Sequence, residues 1–291
     1  MERKEYETLY LEIEEPVARL VLNRPDKLNA ISHQMMHDRD DALDYLEDQM
    51  DYRNEDKLEI KAVLVEAEGR AFCAGYDLKE VTERFAQGHD SISIHDDLDH
   101  IRQEAWGWHR LWELAPVTIA KVDSYCLAGG LMVAASCDLI VAAEDAPIGQ
   151  PEVKSIGFNP DLGLWPLTIG LRKTKELIFT GAVVSGAEAA DMDMINRAVP
   201  SDQLDEEVDD LLSDILEIDR DMLYYAKRMV NDVYESMGMS SMIRTGIAYD
   251  EFGHLGEART RFKKLVDEEG LETAIEEEFP SASQNIKGHN E

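Results

Sequence analysis

The sequence predicts an α/β protein, a parallel sheet crossed by helices and followed by a helical C-terminal part. Three observations lead there. Short apolar runs alternate with helix-length amphipathic segments, the order that builds a parallel sheet with crossover connections. Two of those runs lead straight into loops of small residues, where backbone can approach a ligand closely. Beyond about Ala198 the strand-like runs stop, so the chain divides into a sheet-rich core, residues 1–198, and a helical part, residues 199–291. At 291 residues and 44% hydrophobic, it can bury a large core.

In order, Thr8 to Ile13 and Val17 to Leu22 read as two strands joined by a turn at Glu14-Glu15-Pro16, a hairpin. The second enters NRPDKLNAIS, where Pro25 and Asn29 punctuate and Ser32 is placed to cap a helix. That helix carries Met36, Leu43, Leu46 and Met50 on one face. His33 and His37 lie one turn apart, a metal-compatible spacing, yet a pair without a third ligand reads as solvated. KAVLVEA from Lys61 is a buried strand, and GRAFCAGYDLKE follows it. Phe85 to Asp99 reads as a mobile, solvated segment, its His95, Asp96 and Asp97, with His100 just beyond, included; a helix with three tryptophans is expected from Ile101 to Leu114.

Thr118 to Val122 is the next strand, leading into a Gly129-Gly130 pair, a helix-like run, and a strand at Asp138 to Val141. After Glu152 helices are expected around Lys173 to Phe179, with Gly181 as a stop, and around Ser185 to Met192. The helical part should hold helices at Asp205 to Glu217, Asp219 to Met237, Leu255 to Glu268 and Leu271 to Glu278, with a frayed polar end after Pro280.

Charge narrows the function. A net charge of −32 and a pI of about 4.5 imply a densely carboxylated surface. Such a surface repels phosphate backbones and anionic lipid, so neither nucleic acid nor membrane is an expected partner. It also repels itself at low salt, which points to a protein adapted to concentrated salt. No long apolar span or leader pattern is evident, and the expected location is cytoplasmic. Cys73, Cys126 and Cys137 form no spaced framework and read as small buried space-fillers rather than nucleophiles. Nucleotide-loop, zinc-protease and serine-hydrolase motifs do not occur. What stands out is a pair of strand-to-loop passages able to aim two N–H groups at one oxygen, and one carboxylate, Glu152, in a small and apolar setting.

LVLNRPDKLNAIS, GRAFCAGYDLKE, SYCLAGGLMVAASCDLIVAA and PIGQPEV together resemble the crotonase superfamily, the enoyl-CoA hydratases and isomerases. The resemblance is good over about residues 8 to 200 and looser beyond. It implies a crotonase-like spiral of ββα units with a helical C-terminal trimerisation part, and a homotrimer or homohexamer. It also implies a coenzyme A thioester as substrate, with no cofactor besides and no metal. The thioester oxygen would lie between the backbone N–H groups of Tyr76 and Gly129, with Lys27, Ala74, Asp77, Leu78, Lys79 and Met132 among the substrate-binding residues.

Of the two hydratase glutamates, Glu152 falls on the second, whereas the first falls on Met132, which cannot take a proton. The stretch VKSIGFNPDLG is one residue longer than the usual pattern, and its Asp161 is either a second acid or a loop aspartate. The expectation is an acyl-CoA enzyme that stabilises a thioester enolate, Glu152 moving a proton in hydration or a double-bond shift. Thioester hydrolysis, C–C cleavage and acyl-CoA binding without turnover remain as alternatives.

Overall fold

Glu2–Glu5 (β1), Leu9–Glu14 (β2) and Val17–Leu22 (β3) form an antiparallel meander, Leu9 opposite Leu22. In the computed structural model, residues 1–50, 57–86, 94–159 and 165–279 are described. The sheet continues in parallel through Ala62–Ala67 (β4), Val117–Val122 (β5), Leu139–Ala143 (β7) and Arg197–Val199 (β10). Its order is β1-β2-β3-β4-β5-β7-β10, so the predicted parallel sheet is present, with the hairpin and an unforeseen β1 at one edge. β4 and β5 are buried along most of their length, as strands covered on both faces must be.

A second, three-stranded sheet joins Cys126–Leu127 (β6), Ile148–Gly149 (β8) and Val183–Val184 (β9). β6 and β8 run parallel, with Leu127 opposite Gly149. This small sheet carries the site.

His33–Gln49 (α1) starts where expected, the Ser32 hydroxyl accepting the Met35 N–H at 3.1 Å. It is pinned to the meander by Asp38, whose carboxylate accepts from the Thr8 N–H and hydroxyl at 2.8 and 2.6 Å. Leu78–Ala86 (α2) follows the first site loop. Ile94–Glu113 (α3) begins well before Ile101, so the expectation of a solvated segment fails from Ile94 onward. Asp97 is buried there, whereas His95 and Asp96 are exposed. Trp108 is wholly buried in the core, with Trp106 and Trp112 partly so.

Gly129–Ala135 (α4) follows β6; Trp165–Thr168 (α5), Leu171–Thr180 (α6) and Gly186–Asp191 (α7) come after the site segment. Gly181 ends α6 in the left-handed conformation, as expected, and Ser185 with Glu188 forms a capping box on α7.

Leu204–Leu216 (α8), Arg220–Ser236 (α9), Met239–His254 (α10), Glu257–Glu269 (α11) and Leu271–Glu278 (α12) complete the described chain. α10 was not foreseen. Its two glycines, two serines and a buried face mixing Ile243 and Ile247 with Asp250 and Glu251 hide the apolar period. α10 packs on α3 through Ile101, Ala105, Met239, Ile243 and Ile247. α9 is held to the sheet by a buried pair, Lys227 Nζ to Asp138 at 2.6 Å. α11 and α12 fold back so that Phe262, Ala274 and Phe279 pack on Ala71, Tyr125 and Leu127 of the site loops. Among the described residues no helix is long and apolar enough to cross a membrane.

Candidate active site

The loop after β4 is stitched in place by Asn29. Its amide donates to the carbonyls of Glu68 and Ala71 at 2.8 and 2.7 Å, and its Oδ1 accepts the Arg24 N–H at 2.7 Å. Asn29 holds a φ of +52°, a conformation asparagine tolerates better than most residues. Further on, Ile31 N–H donates to Gly75 O and Asp77 N–H donates to Ile31 O, both at 2.8 Å. Those two bonds bracket Tyr76 in a parallel bridge, so its own N–H faces away from Ile31.

The loop after β6 lies against it. Cys73 and Cys126 form a parallel bridge, and a methyl on Gly75 would meet Ala128 Cβ at 2.7 Å and the Gly129 nitrogen at 3.4 Å. With φ at +100°, Gly75 is needed for its conformation as well as for this approach. On Gly130 a methyl would stand 2.2 Å from Cys73 O. Gly129 is the first residue of α4, where an N–H has no intrahelical acceptor. It is preceded by Ala128 at φ +51°, a conformation costly for a residue with a Cβ. The two N–H groups of Tyr76 and Gly129 thus sit on abutting loops.

Glu152 comes from the opposite strand of the small sheet. The Leu127–Gly149 register carries the chain into a 3₁₀ turn, Pro151–Lys154, which presents Glu152 on the wall of a cavity of about 470 Å³. Lys27, Ala74, Tyr76, Asp77, Leu78, Lys79 and Glu152 all line that cavity. Asp77 is tied to Arg24 at 3.1 Å and also accepts the Lys79 N–H at 3.2 Å, so it shapes the start of α2. Met132 is only 2% exposed, sits in the hydrophobic core and is not among the lining residues. Gly129 is likewise buried and absent from the lining, so the cavity wall there is formed by its neighbours Leu127 and Ala128. Asp161 lies outside the described residues.

Burial raises the Cys73 thiol to about 12 and pushes Cys126 and Cys137 up as well, so these free cysteines hold no thiolate at neutral pH. His33 pairs with Glu80 at 2.8 Å and stacks on His100 at 5.0 Å, while His37 points to solvent.

The rest of the cavity was not foreseen. α3 contributes Asp97, His100 and Glu104, α10 contributes Asp250 and His254, and α11 contributes Arg259. His254 bridges Asp97 at 2.8 Å and Asp250 at 3.4 Å, and His100 pairs with Glu104 at 2.8 Å. The Phe158 N–H donates to Asp250 at 2.6 Å, joining this wall to the segment that carries Glu152. Burial raises Asp250 to about 8, partly offset by that N–H, and raises Glu251 to about 7 with help from a hydrogen bond to Asp97. Asp97, Glu251 and His254 bring ligand atoms within 4.8 Å of one another, a spacing open to a cation, although here they bond among themselves. Burial, and next Glu104, pushes the Tyr76 phenol well above its ordinary value, so it remains an O–H donor.

The family model for enoyl-CoA hydratase/isomerase matches residues 12–254. The chain belongs to that family. It is an enzyme of the hydratase, isomerase and lyase kind, on the crotonase architecture. A protein of Mycobacterium bovis named probable enoyl-CoA hydratase echA8 is 32% identical over 234 residues, 79% of this chain and 84% of that one. Hydroxycinnamoyl-CoA hydratase-lyase of Pseudomonas fluorescens is 34% identical over 227 residues, covering 76% and 77%. The crystal structure of an enoyl-CoA hydratase/isomerase from Xanthobacter autotrophicus Py2 superposes with a TM-score of 0.84 at 30% identity, over 95% of this chain and 99% of that one.

Proposed function

We propose that the enzyme binds an enoyl-CoA with its thioester oxygen between the N–H groups of Tyr76 and Gly129, and that Glu152 transfers the proton. The observation that carries this is the pairing of β6 with β8, which sets Glu152 across from the loop bearing Gly129. As Glu152 takes a proton from carbon, the electron pair moves onto the thioester oxygen, where two fixed N–H donors stabilise the enolate. Return of the proton at another carbon shifts the double bond; in hydration Glu152 instead takes a proton from water as its oxygen adds to the β carbon, and the enolate so formed is protonated at the α carbon. Coenzyme A enters as part of the substrate. Lys27 and Lys79, exposed at the cavity, are the cations for its phosphates in a chain of net charge −32.

The test is incubation with a panel of enoyl-CoA thioesters, products read by mass spectrometry. Water gain or a shifted double bond supports the proposal, whereas free CoA or an unchanged panel overturns it. Cleavage of a C–C bond through the same enolate is a second reading, supported by the likeness to the hydratase-lyase.

We also propose assembly into trimers or hexamers through the helical part. Met222, Tyr225, Met229 and Val233 make one exposed apolar stripe along α9, and Tyr249 and Phe252 are exposed on α10. The acids of α8 surround its own apolar face, so like charges crowd the subunits. The Debye length falls from about 10 Å at 0.1 M salt to about 3 Å at 1 M, which relieves such repulsion. Light scattering should show trimers or hexamers at molar salt and dissociation with loss of activity as salt is removed. A constant mass and activity down to low salt would rule out the charge-limited assembly.

A further inference from the structure

The cavity has an end that the proton transfer at Glu152 does not use. Asp97, His100 and Glu104, spaced by three and four residues, share one face of α3, and Asp250 and His254 share one face of α10. An alkyl tail laid against this wall would strip water from charged groups and return nothing. The wall already pairs its own ions, His100 with Glu104 and His254 with Asp97 and Asp250, so it has no need of a charged guest. Among the described lining residues two neutral donors are left over, the Tyr76 hydroxyl and the Asn159 amide Nδ2. The Tyr76 hydroxyl oxygen is buried and has no hydrogen-bond partner among the described residues, although Glu104 and Asp250 lie close enough to act on it. A buried donor left unmade is costly, and here its residue lines a binding cavity, the hydroxyl lying just beneath the surface.

We propose that this end of the cavity binds a hydroxyl group on the acyl chain, which accepts from the Tyr76 O–H and donates to Glu104. A hydroxyl does both at once. An ammonium cannot accept from Tyr76, an anionic end meets Asp97 and Glu104, and a methyl makes neither bond. The substrate class is thus a hydroxylated enoyl-CoA. The inference rests on the acyl-CoA reading of the same site.

The experiment uses CoA thioesters in matched pairs of equal length. One pair ends in methyl or hydroxymethyl and another in phenyl or 4-hydroxyphenyl; carboxylate- and amine-ended members complete the set. Binding is measured by calorimetry on Glu152→Gln, and kcat/KM on the native enzyme. The hydroxylated member should be favoured about tenfold or more in each pair, because a site built to bond a hydroxyl rejects the analogue lacking it. Tyr76→Phe, which keeps the ring and the backbone N–H, should bring that ratio down to about threefold or less, and so should Glu104→Gln. Equal use of both members, or preference for a charged end, overturns the inference while leaving the acyl-CoA reading intact. Failure of every thioester to bind overturns both.

Discussion

The two ends of the cavity are built by opposite means. At the end proposed for the thioester, the candidate donors are backbone N–H groups on abutting loops, packed against Cys73 with no room for a methyl on Gly75 or Gly130. At the helical end the groups are charged side chains on α3, α10 and α11, brought together by helix packing. Backbone donors cannot reorient or change charge, so the first end suits a step common to many substrates. Side chains can be exchanged without moving the backbone, so the second end suits the choice of substrate proposed for it.

That contrast can be tested by substitution. The largest effect belongs to the thioester end: Glu152→Gln should lower kcat by about a hundredfold or more while a thioester still binds. Glu104→Gln should lower turnover of an unsubstituted thioester by less than about tenfold. If steady-state kinetics show Glu104→Gln as damaging as Glu152→Gln, the division between the ends is wrong.

Next comes Gly130→Ala. Its methyl would sit 2.2 Å from a backbone oxygen that has nowhere to go, so the two loops must part. A donor displaced by even about 1 Å should cost on the order of a hundredfold in kcat, with most of the protein's melting temperature retained. Unchanged kinetics would show that the loops have slack.

The smallest effect is a slope. Asp250 has its pKa raised from 3.8 to about 8 by burial, so the folded protein holds its proton where the unfolded chain has lost it. Stability therefore falls as pH rises from about 4 to about 8. Asp250→Asn keeps an acceptor for the Phe158 N–H and should flatten that fall, seen in melting temperatures across the same range. Parallel curves for the two proteins would show that Asp250 ionises freely at the helical end.

The same contrast sets what is legible in the sequence. The abutting loops that carry Tyr76 and Gly129 are legible because each follows a strand in a stretch of small residues, which two backbones need in order to approach each other. The hairpin, the parallel strands and the capped helices are legible for similarly local reasons. Asp97 and His254 are not: they are far apart in the chain, and a charge on a helix reads as solvated because burying one alone is costly. Their partners cancel that cost only once α3 and α10 meet. The spacing of Asp97, His100 and Glu104 alongside Ile101, Ala105 and Trp108 is the available signal. Met132 aligns with a catalytic position and is buried in the core, a burial that its apolar side chain makes legible.

The return of α12 to the site loops has a practical side for anyone handling the protein. Phe279 lines the cavity, so a tag or fluorophore joined close behind α12 would stand at the entrance. A polyhistidine run or a resin-bound linker there would crowd the approach to Lys27 and Lys79, the cations proposed for the CoA phosphates. At the far edge of the sheet, β1 pairs only with β2 among the described residues and puts no residue on the cavity wall. Purification handles, fluorophores and surface attachment belong at that end.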